Sequence, residues 1–136
     1  MKVVVDSSAI LAILFAESDR DEILKAICEN ECIMSVGNYL ETSIVVDSTR
    51  DPYVIRKFDE LMKDALIEIV PSDLRQVRLG REAYRDFGRG SGHLAKLNFG
   101  DMFAYALAST TKRKLLCKGT DFRRTNIAIF DYLPAE

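Results

Sequence analysis

A chain of 136 residues with 48% hydrophobic content suits one packed domain and is too apolar for a disordered segment. Its three cysteines and single histidine argue against a disulfide framework and against a closed zinc site. The net charge of −2 says little alone, but residues 1–68 hold 7 Lys+Arg against 14 Asp+Glu and residues 69–136 hold 12 against 7. An acidic half beside a basic half suits a metal site next to a polyanion.

The start, Met1-Lys2-Val3-Val4-Val5-Asp6, meets an acid after three apolar residues, so no signal peptide is expected. The next apolar run, 9–16, falls far short of the roughly 20 residues of a membrane span. A soluble, cytoplasmic protein with no membrane contact is expected. Val3-Val4-Val5 reads as a buried strand, and Asp6 or Ser7 caps a helix after it. An amphipathic helix is expected over 19–30 and a strand over 32–35. A helix over 38–46 is expected despite its β-branched residues, and Asp51-Pro52 opens another that runs to about Asp64. A third strand covers 66–70. Ser72 is expected to cap a basic helix to Phe87, with Leu74, Val77, Tyr84 and Phe87 as its apolar stripe, and Gly88 stops it. A glycine-rich loop then leads to the almost wholly apolar stretch 97–108, read as a buried helix beginning near Asn98 or Gly100. Strands are expected over 114–118 and 127–130.

Short strands alternating with helices indicate an α/β domain built on a mostly parallel, five-stranded sheet with helices on both faces. Ligands of such sheets sit beyond the carboxyl ends of the strands. Asp6 and Asp121 each follow a strand at that edge. Asp101, at the start of a helix that precedes a parallel strand, reaches the same edge. Glu41 interrupts an otherwise apolar helix. Each acid has a plain alternative: Asp6 as a helix cap, Glu41 as a half-exposed helix residue, Asp101 as a dipole partner, Asp121 as a turn residue. Together they repel unless a cation joins them or their pKa values rise. Hard oxygen donors select Mg²⁺ or Mn²⁺, and such a site beside basic residues suggests phosphate-ester chemistry.

Four blocks carry a family resemblance: Val4-Val5-Asp6-Ser7-Ser8-Ala9, Tyr39-Leu40-Glu41-Thr42, Leu97-Asn98-Phe99-Gly100-Asp101 with Tyr105-Ala106-Leu107-Ala108, and Leu116-Cys117-Lys118-Gly119-Thr120-Asp121-Phe122. Their acids are 35, 60 and 20 residues apart. The pattern resembles the PIN-domain family, in particular the VapC-type toxins of toxin–antitoxin pairs, over nearly the whole chain, 1–136. The resemblance implies a three-layer α/β/α sandwich with a central five-stranded sheet. It implies an acidic quartet of Asp6, Glu41, Asp101 and Asp121 that binds Mg²⁺ or Mn²⁺, and endoribonuclease activity leaving 5′-phosphate and 3′-hydroxyl ends. It also implies a cognate antitoxin and a homodimer. An antitoxin is expected to insert an Arg or Lys into the acid pocket, because a cation offsets clustered charge. Close relatives often carry two adjacent acids in the fourth block; here Thr120 stands in the first place, which puts a second metal in question.

Ser7 and Thr120 are candidate hydrogen-bond donors behind the acids. Arg85, Arg89, Lys96, Lys118, Arg123 and Arg124 are candidate RNA contacts. Other readings stay open on the sequence: an RNA-processing nuclease without an antitoxin, and a catalytically idle binding module. A phosphoacceptor receiver fits poorly, because the third strand ends in Val70-Pro71-Ser72 with no aspartate.

Overall fold

The computed structural model describes residues 1–133; the last three residues of the chain lie outside it. β1 (Lys2–Val5) leads into α1 (Ser7–Leu14) and α2 (Arg20–Cys28). β2 (Glu31–Ser35) leads into α3 (Val36–Ser48) and α4 (Pro52–Asp64). β3 (Glu68–Val70) leads into α5 (Leu74–Phe87) and α6 (Phe99–Thr111), and β4 (Lys114–Leu116) precedes a short 3₁₀ turn, Phe122–Arg124. The sheet is parallel throughout, in the order β3-β2-β1-β4.

β1 is buried on both faces, which is why it reads as an unbroken valine run. Val3 and Val5 pack with α1, α2, Val46 of α3 and Phe58 of α4. Val4 packs on the other side with Leu115 and with Met102, Ala104, Tyr105 and Leu107 of α6. The result is the expected α/β/α layering. Among the described residues no helix is long and apolar enough to cross a membrane.

The expected fifth strand over 127–130 shrinks to one parallel bridge between Leu115 and Ile129. Ala128 O accepts Leu115 N–H and Phe130 N–H donates to Leu115 O, both at 2.9 Å. β4 has three residues, so its outer edge offers a partner little to pair with. The third strand starts later than expected, at Glu68, because Leu66 turns left-handed (φ 53°) after α4.

α5 departs further from expectation. Asp73, not Ser72, caps it: its Oδ1 accepts the Gln76 N–H at 2.8 Å. Ser72 instead shares a hydrogen bond with Ser35. Gln76, Gly80 and Ala83 face inward, while Leu74, Val77 and Tyr84 lie at the surface. A Cβ on Gly80 would meet Met102 Cβ at 3.4 Å, so α6 comes close enough that small residues take the contact.

α3 keeps its helix because its hydroxyls are satisfied within it. Thr42 Oγ1 donates to Asn38 O at 2.8 Å and Ser43 Oγ to Tyr39 O at 2.7 Å. Its N-cap is Ser35, whose hydroxyl accepts the Gly37 N–H.

Candidate active site

The chain runs outward from β1 through β2 to β3, then returns to place β4 on the other side of β1. The sheet's switch point therefore lies between β1 and β4, the edge at which sheets of this kind bind ligands. Asp6 is the first residue after β1, and its N–H donates to Leu116 O, the last residue of β4, at 2.9 Å. The carboxylate is 4% exposed. Its Oδ2 accepts both the Ser8 N–H (3.1 Å) and the Ser8 hydroxyl (2.6 Å). Burial raises its pKa, the Ser8 bonds oppose that rise, and the Glu41 charge adds to it.

Asp101 stands in the first turn of α6 within a complete capping box. Asn98 Oδ1 accepts the Asp101 N–H at 2.9 Å, and Asp101 Oδ2 accepts the Asn98 N–H at 2.8 Å. The capping role is thus present and engages Oδ2. Burial pushes the carboxyl up to about 6, the Asn98 bond acts against this, and the charges of Asp6, Glu41 and Asp121 push it further. One acid on α6 therefore feels the other three.

Glu41 sits on the second turn of α3, half-buried. Its Oε1 accepts the Ser7 hydroxyl at 2.5 Å and Asn38 Nδ2 at 3.3 Å. Its Oε2 lies against Gly100, where a Cβ would overlap it. Asn38 is fully buried and also donates to Gly100 O at 3.0 Å, so it ties α3 to the start of α6. Asp121 is exposed and opens the 3₁₀ turn. The segment before it bends at Gly119 in the left-handed region (φ 94°), which favours glycine. Thr120 is exposed; its carbonyl accepts Arg123 N–H, and among the described residues its side chain makes no hydrogen bond.

The pocket holds carboxylate oxygens and hydroxyls. The Cys117 thiol is pushed up to about 12, by burial first and then by the Asp6 charge, so it is protonated at neutral pH in the metal-free fold. This donor set fits a hard divalent ion. Among the described residues no three acids are drawn together as closely as ligands around one ion.

The basic candidates divide. Lys118 Nζ is bound by Glu17 (3.0 Å) and Asp19 (3.1 Å), and Arg123 by Asp131. Arg85 pairs with Asp86 at 3.3 Å, and Arg124 Nη1 donates to Leu94 O at 3.0 Å. Arg89 and Lys96 are exposed and pair with no acid among the described residues. His93 is a loop residue: its Nδ1 accepts the Ala95 N–H and its ring meets Phe87 edge-on. Sequence reasoning passed over Ser8, Asn38 and the contact made by Gly100. The signals were Ser8 two residues past a capping aspartate and Asn38 one helical turn before Glu41.

Residues 3–128 match the family model described as PIN domain. Ribonuclease VapC28 of Mycobacterium tuberculosis is 48% identical over 125 residues, covering 91% of this chain and 94% of that protein. Ribonuclease VapC of Mycolicibacterium smegmatis is 40% identical over 126 residues, covering 92% and 97%. Among solved structures, the fold is similar to Mycobacterium tuberculosis VapC20, described as a sarcin-ricin loop cleaving toxin, with TM-score 0.71 at 12% identity over 93% of this chain and 96% of that one. It is similar also to VapBC-1 of nontypeable Haemophilus influenzae, with TM-score 0.71 at 14% identity over 97% and 98%. With a parallel sheet, acids gathered at its switch point and relatives matched along nearly their whole length, the chain belongs to the PIN-domain family and, within it, to the VapC-type group.

Proposed function

We propose that this protein is a divalent-metal-dependent endoribonuclease and the toxin of a VapBC-type toxin–antitoxin pair. The observation that carries the reading is the approach of three elements beyond β1: Asp6 at the strand end, Glu41 bound to Ser7 with its other oxygen against Gly100, and Asp101 next to Gly100 in the first turn of α6. The ribonuclease names of the relatives and the toxin–antitoxin complexes among the structural neighbours support it.

Asp6, Glu41 and Asp101 would hold one Mg²⁺ or Mn²⁺, and Asp121 a second ion or the attacking water. A bound ion there supplies Lewis acidity, lowering the pKa of water and neutralising charge on the phosphoryl oxygens. Asp6 and Asp101 are the rigid members, each with one oxygen fixed by hydrogen bonds. Ser7 holds Glu41. Asp121, exposed at the start of the 3₁₀ turn, would orient the water. In-line attack on phosphorus leaves a 5′-phosphate and a 3′-hydroxyl. Arg89 and Lys96 are the unpaired cations best suited to phosphate contacts.

The homodimer is supported by α3, which presents Val36, Leu40 and Ile44 to solvent at four-residue spacing. A second copy offers the same stripe about a two-fold axis. The antitoxin would reach the acid pocket with an Arg or Lys, since a guanidinium or ammonium there offsets the carboxylate charge.

The test is cleavage of an RNA panel by purified protein with Mg²⁺, with Mn²⁺ and with chelator, beside Asp101→Asn. Cleavage that needs metal and vanishes in the variant supports the reading. Equal cleavage by both proteins overturns it.

A further inference from the structure

Ser8 belongs to none of the four acids, yet it touches two parts of the site at once. We propose that Ser8 is a positioning residue: its hydroxyl locks Asp6 and the segment carrying Asp121 in one register. The inference rests on the nuclease reading for its kinetic consequence and on geometry alone for its structural one.

A serine hydroxyl has one proton to give and two lone pairs. Lys118 N–H donates to Ser8 Oγ at 2.9 Å across 110 residues of sequence, which occupies the acceptor side. The proton then goes to Asp6 Oδ2 at 2.6 Å. The Ser8 N–H donates to the same oxygen at 3.1 Å. Oδ2 is therefore held by two donors, and the carboxylate cannot rotate freely.

The far side of the lock is equally fixed. Lys118 lies three residues before Asp121, with Gly119 and Thr120 between them. Its ammonium is clamped by Glu17 and Asp19, and Asp19 accepts the Tyr132 hydroxyl at 2.5 Å. The backbone exit from β4 is thus pinned by its side chain to the loop between α1 and α2, and by its amide to Ser8. Ser7 does the matching task for Glu41, so two adjacent hydroxyls hold two separate acids.

A helix cap needs only the Ser8 N–H, and alanine keeps that bond. Ser8→Ala therefore removes the lock while leaving the cap, which separates positioning from folding. Ser8→Thr keeps the hydroxyl. Ser8→Cys keeps the volume with a weak donor and carries the comparison should S8A prove unfolded.

The experiment compares wild type, S8A, S8C and S8T by three readouts: RNA cleavage kinetics, Mg²⁺ affinity by calorimetry without RNA, and hydrogen exchange at the Lys118 amide. Expected for S8A are kcat lower by about tenfold to a hundredfold, KM for RNA within twofold, Mg²⁺ affinity weaker by about tenfold and faster Lys118 exchange. S8C should be intermediate and S8T close to wild type. Wild-type Mg²⁺ affinity and unchanged Lys118 exchange in folded S8A or S8C overturn the proposal, as does a folded S8T that behaves like S8A. If wild type cuts no RNA while S8A still loses Mg²⁺ affinity and Lys118 protection, the nuclease reading falls and the lock stands.

Discussion

Helices α3 and α6 meet at the acid pocket and bury opposite kinds of surface. α6 sinks Met102, Ala104, Tyr105, Ala106, Leu107 and Ala108 into the core and keeps its polar groups at its two ends, Asn98 and Asp101 at the start and Ser109, Thr110 and Thr111 in the last turn. α3 turns Asn38 and Thr42 inward beside Val46, and leaves Leu40 60% and Ile44 57% exposed. Ordinary burial would put the leucine and isoleucine inside. Here the inward line is occupied by groups that hold backbone and acid: Asn38 bonds Glu41 and Gly100, and Thr42 bonds Asn38. The lesson is that α6 is shaped by the core, while α3 is shaped by the acids on one side and leaves an apolar stripe exposed on the other.

The sharpest way to break this comparison is at the point where the helices touch. Gly100→Ala places a Cβ on the Glu41 carboxylate, so that carboxylate must shift from its place beside α6. Activity should fall roughly a hundredfold, the scale expected of a displacement of about 1 Å in a catalytic group. Initial rates read beside circular dichroism check this; an active, folded G100A would show that Glu41 is dispensable.

The outward face of α3 is tested next. Leu40→Lys combined with Ile44→Lys removes the apolar stripe without touching an inward residue. Light scattering should show the wild type at twice the chain mass and the variant at one, with the wild type's melting temperature rising with protein concentration and the variant's not. A wild type already monomeric would remove the second copy as the partner of this face.

The smallest effect is expected from pH. Asp101 titrates near 6 in the folded chain and at its ordinary value of 3.8 when unfolded. Below about 4 both states are protonated and the contribution of Asp101 to the stability of the metal-free fold is fully present. As pH rises from about 4 to about 6 the unfolded chain releases the proton while the folded chain retains it, so stability declines, and above about 6 this contribution levels off. Mg²⁺ should offset that loss, giving a larger rise in melting temperature at pH 7.5 than at pH 5. Asp101→Asn should flatten both trends. A Mg²⁺ effect of equal size at both pH values would argue against a carboxylate site.

Local chemistry was readable wherever it acts over a few residues. Asp51 and Pro52 mark the start of α4, and the helix ends at the expected Asp64. The valine run is β1, and Asn98 with Asp101 opens α6. Alternation of strands and helices was enough to bring the acids to one edge, because in a parallel sheet that edge follows from chain direction. What failed were inferences about which face of an element turns inward. Leu74, Val77 and Tyr84 form a valid helical stripe, but the close approach of α6 at Gly80 left them outside. Residues 127–130 have a strand's composition, but β4 is too short to pair with them beyond one bridge.

By itself the sequence determined the parallel α/β class, four of the strands, the helices and the cap at Asp51, and it offered the four acids as a candidate site, since these depend on backbone propensity, periodicity and the order of strands along the chain. The tertiary structure decided the rest: Glu41 against Gly100, Ser8 between Asp6 and Lys118, and the ammonium of Lys118 given to Glu17 and Asp19 rather than left for phosphate. Apart from the local Ser8–Asp6 bond, those pairings join residues from 59 to 110 positions apart. Spacing along a chain carries no record of them, because they are chosen by how the packed layers bring side chains within hydrogen-bonding distance.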